Sequence, residues 1–344
     1  MTPRERVHIA VSGGRADKIP FTVYSNKISY SDVERKLRNN GMCIIERVLS
    51  YSVVYPDIDI KTIVYDENGR HYRKTIYRTP VGELSSLVEV DDKTTWVHEY
   101  LFKSKEDYKA LFFLIKNAVA VPNYKYIADF QDMRGEDYLI RDHISYEPLN
   151  YIAIQCMGLE TFSYEWMDNR DEIMKLYNAQ VEFSRTVYPI IADGPLKTVN
   201  YGGNYMPAFF GGKDYNKYFA PHYAEAAEIL HKKGKLLGSH YDDNIKPVIY
   251  EVADSALDYI EAYDVGLNLS VSETRKIIKN KALWLNFPCA WHLESPEEIY
   301  KRTVELIKQA GNGEGFLIGI TEDVPMDRWK QNYTAILNAI NENS

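Results

Sequence analysis

The segment Gly238-Ser-His-Tyr-Asp242 places two side chains that can bind a metal or exchange protons two residues apart. Residues i and i+2 of an extended segment point to the same side. If the apolar run before this segment is a strand, His240 and Asp242 leave its carboxyl end side by side and face one cavity. Strand carboxyl ends are where α/β barrels carry their chemistry.

The elements that must position these residues form a regular series in the C-terminal part of the chain. The predicted strands are 235–239, 257–262, 282–286 and 315–320, and the predicted helices are 220–233, 246–255, 272–280, 295–310 and 326–341. Four strand and helix pairs in a row predict a parallel sheet with right-handed crossovers. The strands are apolar on both faces, which is typical of a sheet covered by helices.

The N-terminal half shows a less regular pattern. Strands at 151–156 and 196–201, with a helix at 170–193 between them, would continue the same series. Residues 43–100 instead alternate β-branched and aromatic runs, and Asn68-Gly69 is a strong hairpin signal. This pattern predicts a β-rich antiparallel insertion over about 43–100 within a single domain, 1–344.

Polar residues close the predicted strands, and parallel strands bring their carboxyl ends to one rim. His240, Asp242 and Glu322 are the best candidates for a divalent metal site, because imidazole and carboxylate both ligate zinc and a fourth position stays open. The same three residues are the candidate catalytic groups. The alternative is that His240 hydrogen-bonds a backbone carbonyl while the acids cap helices.

A second set of residues is suited to binding substrate. Tyr201-Gly-Gly-Asn-Tyr205 follows a predicted strand end, and its glycines would let a ligand approach the backbone. An ordinary glycine turn is the alternative. The predicted substrate-binding residues are Tyr201, Asn204, Glu261 and Asn286.

Composition narrows the class of protein. The chain has 344 residues, 45% hydrophobic content and a net charge of −8, with no basic face to indicate nucleic-acid binding. Three scattered cysteines do not indicate a disulfide framework. No apolar run suits a signal peptide or a membrane span, so we expect a soluble cytoplasmic protein without membrane partners. We also expect no nucleic-acid partner, and a chain able to form a homodimer.

Several short segments together resemble the uroporphyrinogen decarboxylase superfamily. They are Met1-Thr-Pro-Arg-Glu-Arg-Val7, Asp17-Lys-Ile-Pro20, Gly158-Leu-Glu160, Gly203-Asn204, Tyr218-Phe-Ala-Pro221, His231-Lys-Lys-Gly-Lys235, Asp258-Tyr-Ile-Glu-Ala262 and Ile320-Thr-Glu-Asp-Val-Pro325. The resemblance spans almost the whole chain. It implies an α/β fold, a single (β/α)8 TIM barrel with an N-terminal antiparallel β-hairpin insertion.

Two branches of that superfamily differ in their site residues. True uroporphyrinogen decarboxylases carry a Gln-Ala-Gly-Arg motif, and the corresponding stretch here, Thr22-Val-Tyr-Ser-Asn-Lys-Ile-Ser29, has no arginine. Corrinoid-dependent methyltransferases bind zinc through a His-x-Cys pair and a later Cys. His240-Tyr-Asp242 and Glu322 stand at those places, with carboxylates for thiolates. Such harder ligands would suit activation of an oxygen.

The resemblance therefore implies a zinc-dependent methyltransferase component of a corrinoid-linked demethylation system, such as an aryl methyl ether O-demethylase. Its expected partners are a small methylated substrate and a protein that carries the corrinoid. One alternative is a decarboxylase (carboxy-lyase) of a small carboxylic acid, with Arg141 or Lys213 as the anchor for the carboxylate. Another is a ligand-binding protein that has lost catalysis.

Overall fold

The computed structural model describes residues 1–91 and 94–344. Its strands are β1 (Phe21–Tyr24), β2 (Met42–Val48), β3 (Tyr51–Val54), β4 (Asp59–Glu67), β5 (Arg70–Thr79), β6 (Gly82–Val90), β7 (Thr95–Glu99), β8 (Val119–Pro122), β9 (Tyr138–Ile144), β10 (Thr198–Tyr201), β11 (Leu236–His240), β12 (Tyr259–Tyr263), β13 (Ala282–Asn286) and β14 (Phe316–Ile320). The α-helices are α1 (Pro3–Val11), α2 (Asp32–Asn39), α3 (Tyr108–Lys116), α4 (Tyr124–Asp132), α5 (Pro148–Asn150), α6 (Leu159–Asp168), α7 (Arg170–Asp193), α8 (Pro207–Tyr218), α9 (Ala220–His231), α10 (Ile249–Asp254), α11 (Val271–Ile277), α12 (Pro296–Gln309) and α13 (Trp329–Asn343).

Eight of these strands close into a barrel. Its strand order is β1-β14-β13-β12-β11-β10-β9-β2, and β2 pairs with β1 to complete the circle. All eight pairings are parallel. The predicted α/β barrel is therefore confirmed, and the four C-terminal strands lie within two residues of their predicted bounds.

The barrel interior is filled by side chains that alternate along the strands. The interior cluster contains Val7, Ala10, Val11, Tyr24, Cys43, Ile45, Leu139, Tyr259, Ala282, Trp284 and Leu317. Cys43 and Ile45 illustrate the two-residue period of an inward-facing strand. Gly238 gives the room that the large ring of Tyr259 needs, since a Cβ at that glycine would lie 2.1 Å from it.

Two details of the N-terminal half differ from the sequence prediction. Residues 151–156 are not a strand, because Tyr151–Met157 forms a π-helical segment. A short buried apolar run fits either structure, so periodicity could not separate them. The barrel strand in this region is β9, and β2 also belongs to the barrel, so the predicted insertion at 43–100 begins too early.

The antiparallel part of the prediction is confirmed. Strands β4 to β7 form a four-stranded antiparallel sheet, and β3 pairs with β8 in a separate two-stranded sheet. Asn68 and Gly69 form the β4–β5 turn with φ of 51° and 76°, as an Asn-Gly hairpin requires.

The chain divides into two compact units. One comprises residues 1–50, 124–144 and 191–344 and contains the whole barrel, and the other comprises 51–123 and 145–190 and contains both antiparallel sheets. The single domain expected for 1–344 stays a prediction. Within the described ranges, no helix combines the length and the apolar character that a membrane crossing needs.

Candidate metal centre

Three carboxyl-end residues of the barrel converge on one point. Side-chain ligand atoms of His240, Asp242 and Glu322 all lie within 4.8 Å of one another. His240 ends β11, Asp242 follows it by two residues, and Glu322 follows the end of β14. The closed barrel thus joins two strands that are far apart in sequence, and the three side chains offer one nitrogen donor and two carboxylates.

Backbone contacts fix the position of His240. The backbone N–H of Asn204 donates to the carbonyl of His240 at 3.1 Å, and the N–H of Tyr241 donates to the carbonyl of Glu261 at 2.8 Å. A Cβ at Gly203 would lie 3.0 Å from the Cβ of His240, so only glycine lets the loop after β10 approach so closely. The Tyr201–Tyr205 glycine segment therefore packs on the histidine.

The imidazole of His240 lies between two carboxylates. Its Nε2 is 3.7 Å from Oδ2 of Asp242, and its Nδ1 is 3.3 Å from Oε2 of Glu261. Burial alone would lower the pKa of His240, but the interactions with these two carboxylates outweigh it and raise the pKa to about 9. In the absence of a metal, His240 is therefore an imidazolium near neutral pH.

A fully buried ion pair contacts the Nδ1 side of the His240 imidazole. Arg141 donates to Glu261, and the two side chains are 2% and 0% exposed. Burial would raise the pKa of Glu261, but the Arg141 charge and the His240 hydrogen bond lower it to about 2. Arg141 also donates to the Tyr24 hydroxyl at 3.2 Å. Glu261 is therefore a permanent carboxylate whose second oxygen faces His240.

Strand β12 is distorted where it presents Glu261. The next residue, Ala262, has φ of 60°, in the left-handed region that favours glycine. The pairing of β12 with β13 shifts register between Ile260 and Tyr263, so this residue lies where the strand is irregular, as at a β-bulge. Bulges near functional sites re-aim side chains. The distortion directly follows the carboxylate that contacts His240.

The two acidic members of the cluster have opposite pKa shifts. Burial would raise the pKa of Asp242, but its interaction with the nearby imidazolium of His240 lowers it. Burial raises the pKa of Glu322, an effect that the nearby His240 charge opposes and the Asp242 charge reinforces. Asp242 stays 33% exposed, so solvent reaches the cluster.

The other predicted site residues lie at or just after the carboxyl ends of barrel strands, and their contact with substrate stays a prediction. Oδ1 of Asn286 accepts from both the N–H and the hydroxyl of Thr321 at 3.0 Å, one residue before Glu322. Tyr201 is fully buried with its ring edge-on to that of Tyr223. Asn204 is exposed with φ of 55°.

Three rim residues were not predicted to belong to the site, namely Tyr24, Arg47 and His143. The Tyr24 hydroxyl lies 3.3 Å from Nδ1 of His240. The Arg47 guanidinium lies 4.4 Å above the Tyr24 ring. Burial, then the charges of Arg141 and Arg47, lower the pKa of His143 to about 3. For Arg47 and His143, the signal in the sequence was the two-residue period along β2 and β9, which can be used only when the bounds of those strands are known. Tyr24 lies on β1.

The two residues suggested as carboxylate anchors of a decarboxylase lie in different surroundings. Arg141 is buried and paired with Glu261. Lys213 is an exposed residue of α8.

The donor set fits a zinc ion. Zinc binds imidazole nitrogen and carboxylate oxygen, and a catalytic site needs three protein ligands with a fourth position open. His240 Nε2 faces the acids while Nδ1 faces Glu261, the arrangement in which an outer carboxylate orients a metal-binding histidine. The hydrogen bonds of the His240 ring are with the side chains of Tyr24 and Glu261. The alternative interpretation expected a hydrogen bond to a backbone carbonyl.

Comparison with known proteins shows the fold. No protein-family model matches the sequence, and no curated protein is significantly similar to it. A methyltransferase from Methanosarcina mazei has a similar structure, with a TM-score of 0.61, 12% identity and 99% of each chain covered. A sugar phosphate isomerase/epimerase from Parabacteroides distasonis gives a TM-score of 0.40 at 13% identity, covering 94% of this chain and 93% of its own.

Proposed function

We propose that this protein is a methyltransferase that holds a zinc ion through His240, Asp242 and Glu322. The observation that carries the proposal is the convergence of their ligand atoms within 4.8 Å at the carboxyl rim of the barrel. The likeness in fold to the Methanosarcina mazei methyltransferase, over 99% of both chains, supports methyl transfer as the reaction class.

The finer proposal is a component of a corrinoid-linked demethylation system. The substrate is a small methyl ether, and the acceptor is a corrinoid carried by a partner protein. Bound zinc would supply Lewis-acid polarisation of the ether oxygen, so that the alcohol or phenol part leaves as an oxyanion. Carboxylate ligands are harder than thiolates and suit such an oxygen.

The residues of this chain have distinct roles in the proposal. His240, Asp242 and Glu322 bind the ion. Glu261 accepts a hydrogen bond from Nδ1 of His240 and so leaves Nε2 unprotonated and aimed at the metal. Arg141 holds Glu261 ionised, because its charge stabilises the carboxylate in a buried setting.

Metal analysis of the purified protein tests the zinc centre. We expect about one zinc ion per chain in the wild type and none in His240→Ala. His231→Ala is the matched control, because His231 is an exposed helix residue that pairs with Asp258. A wild type without zinc, or equal zinc in His240→Ala, would contradict the metal centre.

A separate assay tests methyl transfer. Zinc-loaded protein is mixed with a methoxybenzene derivative and free reduced cobalamin without oxygen, and methylcobalamin is followed by its absorbance. We expect methylcobalamin to form with wild type and with His231→Ala, and not with His240→Ala. Release of carbon dioxide from a carboxylic acid without any corrinoid would instead identify a decarboxylase.

A further inference from the structure

Arg47 is a cation that faces the barrel mouth. Cys43 and Ile45 of the same strand lie in the interior cluster, so the period of two places Arg47 on the inward side. It is the last but one residue of β2, at the carboxyl end, and its side chain is exposed. An inward-facing but exposed arginine at this end of a barrel strand lies where substrates bind.

The guanidinium of Arg47 contacts an aromatic ring. It lies 4.4 Å above the Tyr24 ring centroid, a cation–π contact. Among the residues that the structure describes, none of the salt bridges involves Arg47. Its strand neighbour Arg141, directly opposite on β9, has its charge matched by Glu261.

The ion pairs at the rim, among the residues that the structure describes, do not include Arg47. Zinc would neutralise Asp242 and Glu322, Glu261 neutralises Arg141, and Lys27 pairs with Asp323 at 3.0 Å. None of these pairs uses the Arg47 guanidinium. Its charge can therefore attract a negatively charged group of a substrate.

We propose that Arg47 binds the carboxylate of the substrate, which is therefore an anionic methyl ether. This inference rests on the proposed methyl transfer and names the substrate class for that site. The planar guanidinium can donate two parallel hydrogen bonds to a carboxylate, and its face stays on Tyr24.

Tyr24 connects the anchor with the histidine of the metal centre. Its ring lies under Arg47, and its hydroxyl lies 3.3 Å from Nδ1 of His240. One side chain thus contacts both Arg47 and His240, so a carboxylate on Arg47 would bind close to the metal centre.

Binding of two matched compounds tests the anchor. The probes are 3-methoxybenzoate and its uncharged counterpart 3-methoxybenzamide, measured by calorimetry with zinc-loaded and with zinc-depleted protein. We expect zinc-loaded wild type to prefer the benzoate by about 10- to 100-fold, the range for hydrogen bonds to a charged group. Arg47→Gln should reduce this preference to less than about threefold.

Arg35→Gln is the matched control, because Arg35 is an exposed arginine on α2 that pairs with Asp32. It should keep the wild-type preference. Equal binding of the two probes by the wild type, no binding of either at millimolar concentration, or an unchanged preference in Arg47→Gln would overturn the proposal.

Measurements on zinc-depleted protein distinguish the proposed carboxylate anchor from the proposed methyl transfer. A preference that depends on Arg47 in both forms supports the anchor, even if methyl transfer fails. Zinc binding and methyl transfer to cobalamin without such a preference would overturn the anchor and leave the proposed function standing.

Discussion

Oε2 of Glu261 lies 3.3 Å from Nδ1 of His240, and this contact decides how the histidine presents its other nitrogen. The carboxylate is fully buried, is held ionised by Arg141 and has its pKa lowered to about 2. A histidine whose Nδ1 is fixed in this way is oriented for metal binding through Nε2. Glu261 is thus placed to position His240, and its predicted contact with substrate stays a prediction.

Replacing Glu261 should weaken zinc binding without removing a ligand. We expect Glu261→Gln to lower zinc affinity by about 10- to 100-fold, the usual effect of losing an outer carboxylate. Zinc titration with a competing chelator measures it. Glu34→Gln is the control, because Glu34 is a buried acid paired with Arg38 on α2, away from the rim. Equal zinc affinity in Glu261→Gln and the wild type would contradict the role of Glu261.

Zinc binding should depend on pH through His240. The pKa of this imidazole is raised to about 9 in the metal-free site, and a protonated imidazole cannot ligate zinc. Apparent zinc affinity should therefore rise as the pH increases from 6 towards 9, by at most about tenfold per unit from this group, and then level off. Chelator competition at several pH values measures the slope, and a flat profile from pH 6 to 9 would argue against His240 as a ligand.

Gly203 should not tolerate a side chain. Its φ is 141°, and a Cβ there would lie 3.0 Å from the Cβ of His240. We expect Gly203→Ala to cost about 1–3 kcal/mol of unfolding free energy and to lower zinc affinity by displacing the histidine. Gly69→Ala is the control, since Gly69 also has a positive φ but open space around it. Zinc affinity that fell equally in both variants would refute a specific contact.

Asn286 should act through Thr321. Its side-chain oxygen accepts from the N–H and the hydroxyl of Thr321, so Asn286→Ala leaves two donors without their acceptor. We expect a loss of about 1–3 kcal/mol in unfolding free energy, together with weaker zinc binding as Glu322 loses its fixed position. Asn286→Asp keeps the acceptor and should be milder. An unchanged unfolding free energy of Asn286→Ala together with a raised KM would instead support the predicted contact between Asn286 and substrate.

Much of the barrel could be predicted from local sequence patterns. Short apolar strands alternating with helices predicted the four C-terminal units, because the helix and strand periods and capping residues are properties of neighbouring residues. The buried run at 151–156 was misread, because a segment that is apolar on all sides has no period to reveal its structure. Strand β9, the true barrel strand, was hidden by Arg141 and Asp142 within it.

The sequence by itself determined that His240 and Asp242 leave one strand end on the same side, because alternation along a strand is local. Only the tertiary structure decided what surrounds them. It brought Glu322 to their side, paired Arg141 with Glu261 and laid Arg47 over the Tyr24 ring at the mouth. The physical reason is that pairing between charges depends on which strands the closed barrel places next to each other, and that order is fixed by packing of the whole interior.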